Sequence, residues 1–235
     1  MPYLPFISDK DLLAAIKMVI GKIEKAEKDV DAKLYENVLD PFSALFDGIT
    51  HGMSYDVWLK SEKVRHIQKT MQNAIGKFHQ DILGSVSDSK NLGTGGMLDV
   101  VHTGKKIIVE VKNKFNTTKG NHKVKIYDDI KAALKKPEFE GFTGYCVEVI
   151  PKNKKVYDKP FEPSDNKTRK RRPVNQRIRV IDGKSFYKLM TGKDSALQDL
   201  FEILPRVVAK HFSYKFDTRE GKKYLDLFAK AFEIE

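Results

Sequence analysis

Cysteine is almost absent from this chain, with a single Cys146 in 235 residues. One thiol excludes an intramolecular disulfide framework and any cysteine-rich zinc site. Its place in the apolar run 145–150 predicts a small buried core residue. Long apolar runs are missing as well: nothing approaches the roughly 18 residues of a membrane span. The opening MPYLPFISDKDLL carries acids where a secretory leader needs a basic region followed by an apolar one. The expectation is a cytoplasmic protein without a membrane partner. Negative charge is also scarce, with 32 Asp and Glu against 43 Lys and Arg and a net charge of +11. That imbalance points to a polyanionic partner, nucleic acid ahead of a membrane surface.

What is present fits one globular domain. The apolar share is 40% and the charged share 32%, enough to bury a core unaided by metals or crosslinks. Ser8 followed by Asp11 resembles a helix cap, and apolar residues from Leu12 to Val30 keep helical spacing to about residue 34. A short helix is expected over 42–46, after Asp40-Pro41. A long one is expected over 61–83, its stripe formed by Val64, Ile67, Met71, Ala74, Ile75, Phe78 and Ile82. Gln72 and His79 flank that stripe and are possible supporting residues for a site elsewhere, with an ordinary helix-surface role competing. Residues 84–96, rich in Gly and Ser, read as irregular. A hairpin, a helix over 124–135, a strand over 143–150 and helices over 183–190, 197–212 and 221–232 complete the pattern. Segments in this order predict an α/β core with extra N- and C-terminal helices.

The segment MLDVVHTGKKIIVEVKNKFN sets three charges among valines and isoleucines. With Gly104-Lys105 as a two-residue type II′ turn, Thr103 faces Lys106 and Asp99 faces Glu110. Directly opposed Cβ atoms lie roughly 4.5–5.5 Å apart. Lys112, two residues past Glu110, shares its face, while Val100, Ile107, Val109 and Val111 point to the other. Two carboxylates so close repel unless a divalent cation accepts both as ligands. Hard oxygen donors suit Mg²⁺, with Mn²⁺ as a substitute. Such an ion lowers the pKa of a bound water, and Lys112 orients it or offsets charge on a phosphate. The arrangement fits phosphodiester hydrolysis. A cross-strand charge cluster on a solvated sheet face is the competing reading.

The flanking residues suit DNA. Asn113, Lys114, Asn116, Thr117, Lys119 and Asn121 form a polar rim directly after the acidic strand. Residues 152–179 hold 11 Lys and Arg against three acids, an excess of +8 within the chain's +11. This stretch reads as an extended basic loop offering Ser164, Asn166, Lys167, Arg169, Lys170, Arg171, Arg172, Gln176 and Arg177 to phosphates or base edges. ATP use is not expected, because GTGG lacks a following Gly-Lys-Ser/Thr, and Gly183-Lys184-Ser185 has Ile178 where the first glycine belongs.

Asp99 with Glu110-Val111-Lys112 resembles the PD-(D/E)xK nuclease superfamily, with Leu98 in place of its proline. The runs EVKNKFNTTKGNHKVKIYDD and KPFEPSDNKTRKRRP…IRVIDGKSFYKLMTG are similar to type II restriction endonucleases of the group that cuts GGNCC-like sites. This resemblance covers most of the chain from about residue 60. It implies a PD-(D/E)xK core, a mixed central sheet flanked by helices. It also implies Mg²⁺-dependent cleavage of both strands of a short, near-palindromic DNA site by a homodimer. The expected layout is one nuclease domain: a helical addition over 1–60, a catalytic core over 61–150, a basic DNA-binding excursion over 151–180 and helices over 181–235. A structure-selective or repair nuclease on the same core, and a DNA-binding protein without catalysis, are the alternatives.

Overall fold

The computed structural model describes residues 2–36, 39–93, 97–118, 120–165 and 168–232. In chain order the strands are β1 (Ser89–Asn91), β2 (Val100–His102), β3 (Ile107–Lys114), β4 (Thr143–Ile150), β5 (Asp158–Pro160) and β6 (Ile178–Asp182). They form one sheet in the order β1-β2-β3-β4-β6-β5. The β3–β4 and β4–β6 pairs are parallel and the rest antiparallel. The α-helices are α1 (Asp9–Lys33), α2 (Pro41–His51), α3 (Tyr55–Gly84), α4 (Gly120–Ala133), α5 (Gly183–Thr191), α6 (Ala196–His211) and α7 (Gly221–Phe232). Helix α4 is the crossover that two parallel neighbours such as β3 and β4 require. The mixed α/β class expected from the sequence is what the chain adopts, and no described helix is long and apolar enough to cross a membrane.

The chain divides into two units, residues 1–13 with 79–235 and residues 14–78. The first contains the whole sheet. Its strands β3, β4 and β6 are apolar on both faces, as expected of parallel strands covered on both sides. On one face Ile108, Cys146, Ile178 and Val180 pack with Ile126, Tyr127 and Ile130 of α4. On the other, Tyr145 meets Phe186 of α5 with ring centroids 5.7 Å apart. Helix α5 begins where the Asp182 carboxylate accepts from the Ser185 N–H at 2.9 Å. In the second unit, Asp40 caps α2 by accepting from the Phe42 N–H at 3.0 Å. Arg65 ties α3 back to α2 through Asp47 at 3.3 Å.

Several local expectations needed correction. The hairpin register is as read from the sequence, with Val100 opposite Val109, Val101 opposite Ile108 and His102 opposite Ile107. The turn is not type II′, since the left-handed residue is Lys106 at φ 52 rather than Gly104. Residues 84–96 are not wholly irregular: polar Ser89–Asn91 forms edge strand β1, held by pairing with β2 and carrying no hydrophobic period of its own. The basic excursion is not a simple loop either. It contributes β5 and runs into β6, whose Ile178, Val180 and Ile181 are buried while Arg179 pairs with Asp158 at 2.6 Å. Long charged flanks masked that short strand.

Gly183 marks the tightest contact between α5 and the sheet. A methyl group there would lie 2.4 Å from the Val149 carbonyl oxygen and 2.7 Å from its Cα. Backbone cannot yield as a flexible side chain does, so overpacking should cost about 1–3 kcal/mol. Gly183→Ala is expected to lower the urea midpoint accordingly, and an unchanged midpoint would contradict this packing.

Candidate active site

The apolar face covered by α4 turns charged at one level across three neighbouring strands. Along β3 it runs from Ile108 to Glu110 and Lys112, along β4 from Cys146 to Glu148, and along β6 from Val180 to Asp182. Glu110 lies beside Cys146, Lys112 beside Glu148, and Glu148 beside Asp182. Side chains two residues apart on a strand share a face, so this row follows from the strand period once the three strands are aligned.

Asp99 joins the row from the adjacent strand. β2 begins only at Val100, and the preceding Asp99 donates its backbone N–H to the Val109 carbonyl at 2.9 Å instead of pairing opposite Glu110. Its side chain then replaces a ladder partner, accepting from the Val111 N–H at 2.7 Å. Gln80 of α3 adds a side-chain hydrogen bond. Glu110 and Lys112 form an ion pair at 2.7 Å, both largely shielded from solvent. Burial, then the nearby Glu110 charge, raises the Asp99 pKa to about 6, against the opposing pull of Val111, Lys112 and Gln80. The structure thus brings Asp99, Glu110 and Lys112 together.

Other acids of the row are fully engaged. Buried Glu148 accepts from Lys123 at 2.5 Å and from the Tyr157 hydroxyl at 2.5 Å. Asp182 accepts from the Tyr157 and Ser185 N–H groups. Burial and the Glu148 carboxylate push the Tyr157 hydroxyl well above its ordinary pKa. Among the described residues no group of three or more His, Cys, Asp and Glu side chains is arranged to hold a metal ion.

The remaining predicted residues fall as follows. Asn113 and Lys114 end β3, Asn116 and Thr117 stand exposed beyond it, and Asn121 is exposed in the first turn of α4. Lys119, Asn166 and Lys167 lie outside the described residues. Ser164 and Arg171 form a bridge that closes a small hairpin, with Arg169 and Lys170 exposed at its tip. Arg172 grips Asp128 of α4 through two bonds, at 3.0 and 2.7 Å, and Arg177 donates to the Phe142 carbonyl at 2.8 Å. Gln176 is exposed.

Gln72 is an exposed residue of the second unit, whereas His79 is buried and shares a hydrogen bond of 2.8 Å with the Tyr187 hydroxyl. Burial lowers the His79 pKa to about 4, which keeps it neutral in the core. Its neighbour Gln80 is the α3 residue that reaches Asp99. Sequence reading passed over Gln80, Lys123, Glu148 and Tyr157. Gln80, eight residues after Gln72, shares that helical flank and was accessible to the same reasoning. The other three meet only in the folded chain, Lys123 through the crossover helix and Tyr157 through the return of the excursion.

The family model described as Eco47II restriction endonuclease matches residues 4–213. The type II restriction enzyme Eco47II of Escherichia coli is 38% identical over 210 residues, spanning 88% of this chain and 87% of the relative. The type II restriction enzyme Sau96I of Staphylococcus aureus is 29% identical over 237 residues, spanning 98% and 88%. The chain belongs to the Eco47II restriction endonuclease family. It is a sequence-specific type II restriction endonuclease, a site-specific deoxyribonuclease that acts on DNA.

The raised Asp99 pKa has a measurable consequence. The ordinary value is 3.8, so well below it the group is protonated in folded and unfolded chains alike. Above about 6 it is ionised in both. Between these limits the folded chain holds a proton that the unfolded chain has lost, so stability falls as pH rises through that window. In metal-free buffer at neutral pH, Asp99→Asn is expected to melt at a higher temperature than the parent. A lower melting temperature would show that Asp99 is stabilised as an anion.

Proposed function

We propose that Asp99, Glu110 and Lys112 are the catalytic residues of this endonuclease, with Asp99 and Glu110 as ligands of one or more Mg²⁺ ions. The observation that carries this reading is the meeting of two carboxylates and one ammonium at the charged end of a buried sheet face. The donor set fits a hard divalent cation. Both carboxylates offer oxygen, the Cys146 thiol beside Glu110 is kept protonated by burial, and the mutual repulsion of the two acids is what such an ion relieves. Two protein carboxylates would leave coordination places for water and DNA phosphate oxygens. Mn²⁺ is expected to substitute.

The bound ion supplies electrostatic stabilisation of the phosphate and a water of lowered pKa. The protein residues do the rest. Val111 and Gln80 hold the Asp99 carboxylate in one orientation. Glu110 holds the Lys112 side chain in place, where its ammonium offsets negative charge growing on the phosphate during attack.

DNA is proposed to lie along Asn113, Lys114, Asn116, Thr117, Lys119 and Asn121. The basic excursion, with Ser164, Asn166, Lys167, Arg169, Lys170, Arg171, Arg172, Gln176 and Arg177, supplies further contacts. Arg172 and Arg177 already spend hydrogen bonds inside the protein, so the exposed Arg169, Lys170 and Arg171 are the better placed to reach bases or phosphates. The target is proposed to be a short near-palindrome of the GGNCC type, cut on both strands by a cytoplasmic homodimer. One nuclease domain with helical additions is the corresponding organisation.

Asp99→Ala and Lys112→Ala are expected to lower cleavage of a plasmid by at least about 10³-fold with Mg²⁺, while both retain specific binding in a mobility-shift assay. Near-parental cleavage by either variant would refute its role. Sequencing the ends made by the parent protein tests the target, and ends that share no near-palindrome would overturn it.

A further inference from the structure

Helix α2 has no buried residue. Phe42, Leu45, Phe46 and Ile49 are 72%, 60%, 63% and 68% exposed. Their spacing places all four on one face. Beside them runs a cavity of about 630 Å³, lined by Leu39, Pro41, Ala44, Leu45, Ile49 and Trp58 among others. Single exposed apolar side chains are ordinary, but a contiguous apolar face marks an interaction site.

Charge narrows the identity of the occupant. In a chain with 43 Lys and Arg, residues 34–59 contain none, while Glu36, Asp40, Asp47 and Asp56 fall within them. A face so depleted of cations is unsuited to nucleic acid. It does suit a second copy of this chain. Two molecules of +11 each repel, and contact is least unfavourable where neither presents lysine or arginine. The acid on the helix itself, Asp47, is offset by Arg65 at 3.3 Å.

The area agrees. Fully buried aromatic side chains cover about 150–250 Å² each. At these exposures the four residues would bury on the order of 500 Å² per copy. Doubled by symmetry and extended by Tyr55, which is 62% exposed and lines the same cavity, the contact reaches roughly the 1,200 Å² at which specific interfaces begin. We infer that the apolar face of α2 is an isologous dimer interface, in which Phe42, Leu45, Phe46 and Ile49 pack against the same residues of a second copy. This rests on the homodimer proposed above and assigns its surface.

The test is sedimentation velocity of the full chain over a micromolar concentration series. The parent should sediment as a dimer. Phe42→Glu/Phe46→Glu, altering exposed side chains only, should weaken dimerisation by at least about 100-fold with unchanged circular dichroism. Leu227→Glu, at another exposed apolar site, 62% exposed on α7, should remain dimeric. A monomeric parent overturns the homodimer itself. A dimeric parent whose double variant stays dimeric, or whose Leu227→Glu variant alone dissociates, overturns only the assignment to α2. Should the double variant fail to fold, Leu45→Cys decides, because the native Cys146 is buried. A flexible bis-maleimide should then crosslink it to twice the chain mass, and monomer alone would overturn the assignment.

Discussion

The hydrogen bond from the Val111 N–H to the Asp99 carboxylate organises the site. A buried strand must satisfy each backbone donor, and β2 stops before it can serve Val111. Asp99 fills the gap with its side chain. One carboxylate thereby completes the backbone pairing and comes to lie in a shielded setting near Glu110. Two effects follow from that one placement. Burial and the neighbouring acid both favour the protonated form, while the Val111 donor opposes them without prevailing.

The row of acids at the end of the sheet separates into two kinds. Glu148 and Asp182 have both oxygens engaged by donors of the protein, namely Lys123, Tyr157 and Ser185. They join β4, α4, α5 and the root of the basic excursion, and each of their carboxylate oxygens has a donor from the protein. Asp99 and Glu110 share Lys112 as the cation of their immediate group. A buried charge without adequate compensation is unfavourable. The proposed cation supplies the compensation at these two acids. The same contrast explains why four acids at one sheet edge need not form one metal cluster.

Much of this was legible in the chain because period-2 and period-3.6 patterns report burial directly. The hairpin register followed from placing the turn at Gly104-Lys105, and helices α1 and α3 from their apolar stripes. The meeting of Asp99 with Glu110 and Lys112 followed from that register, although Asp99 reaches the site from beyond the strand's end and not as a ladder partner. Long-range contacts were not legible. Glu148 reads as one more strand residue until α4 brings Lys123 over it, and Tyr157 until the excursion returns along β6. Strand β1 escaped notice because Ser89, Lys90 and Asn91 are strand only by virtue of a partner. His79 read as a helix-surface residue or a support for the site, because a polar group on a helical flank fits either, but burial against Tyr187 makes it part of the core.

The pairing of Asp99 with Glu110 as ligands is tested most directly by Mn²⁺ binding to the DNA-free protein, followed by water-proton relaxation. Parent protein should bind Mn²⁺ at neutral pH and lose affinity as pH falls through about 6, where Asp99 takes up its proton. Glu110→Gln should weaken binding by at least about tenfold and lower the pH at which the remaining affinity disappears, because the neighbouring charge is gone. Parental affinity and an unshifted pH profile in Glu110→Gln would contradict the shared site.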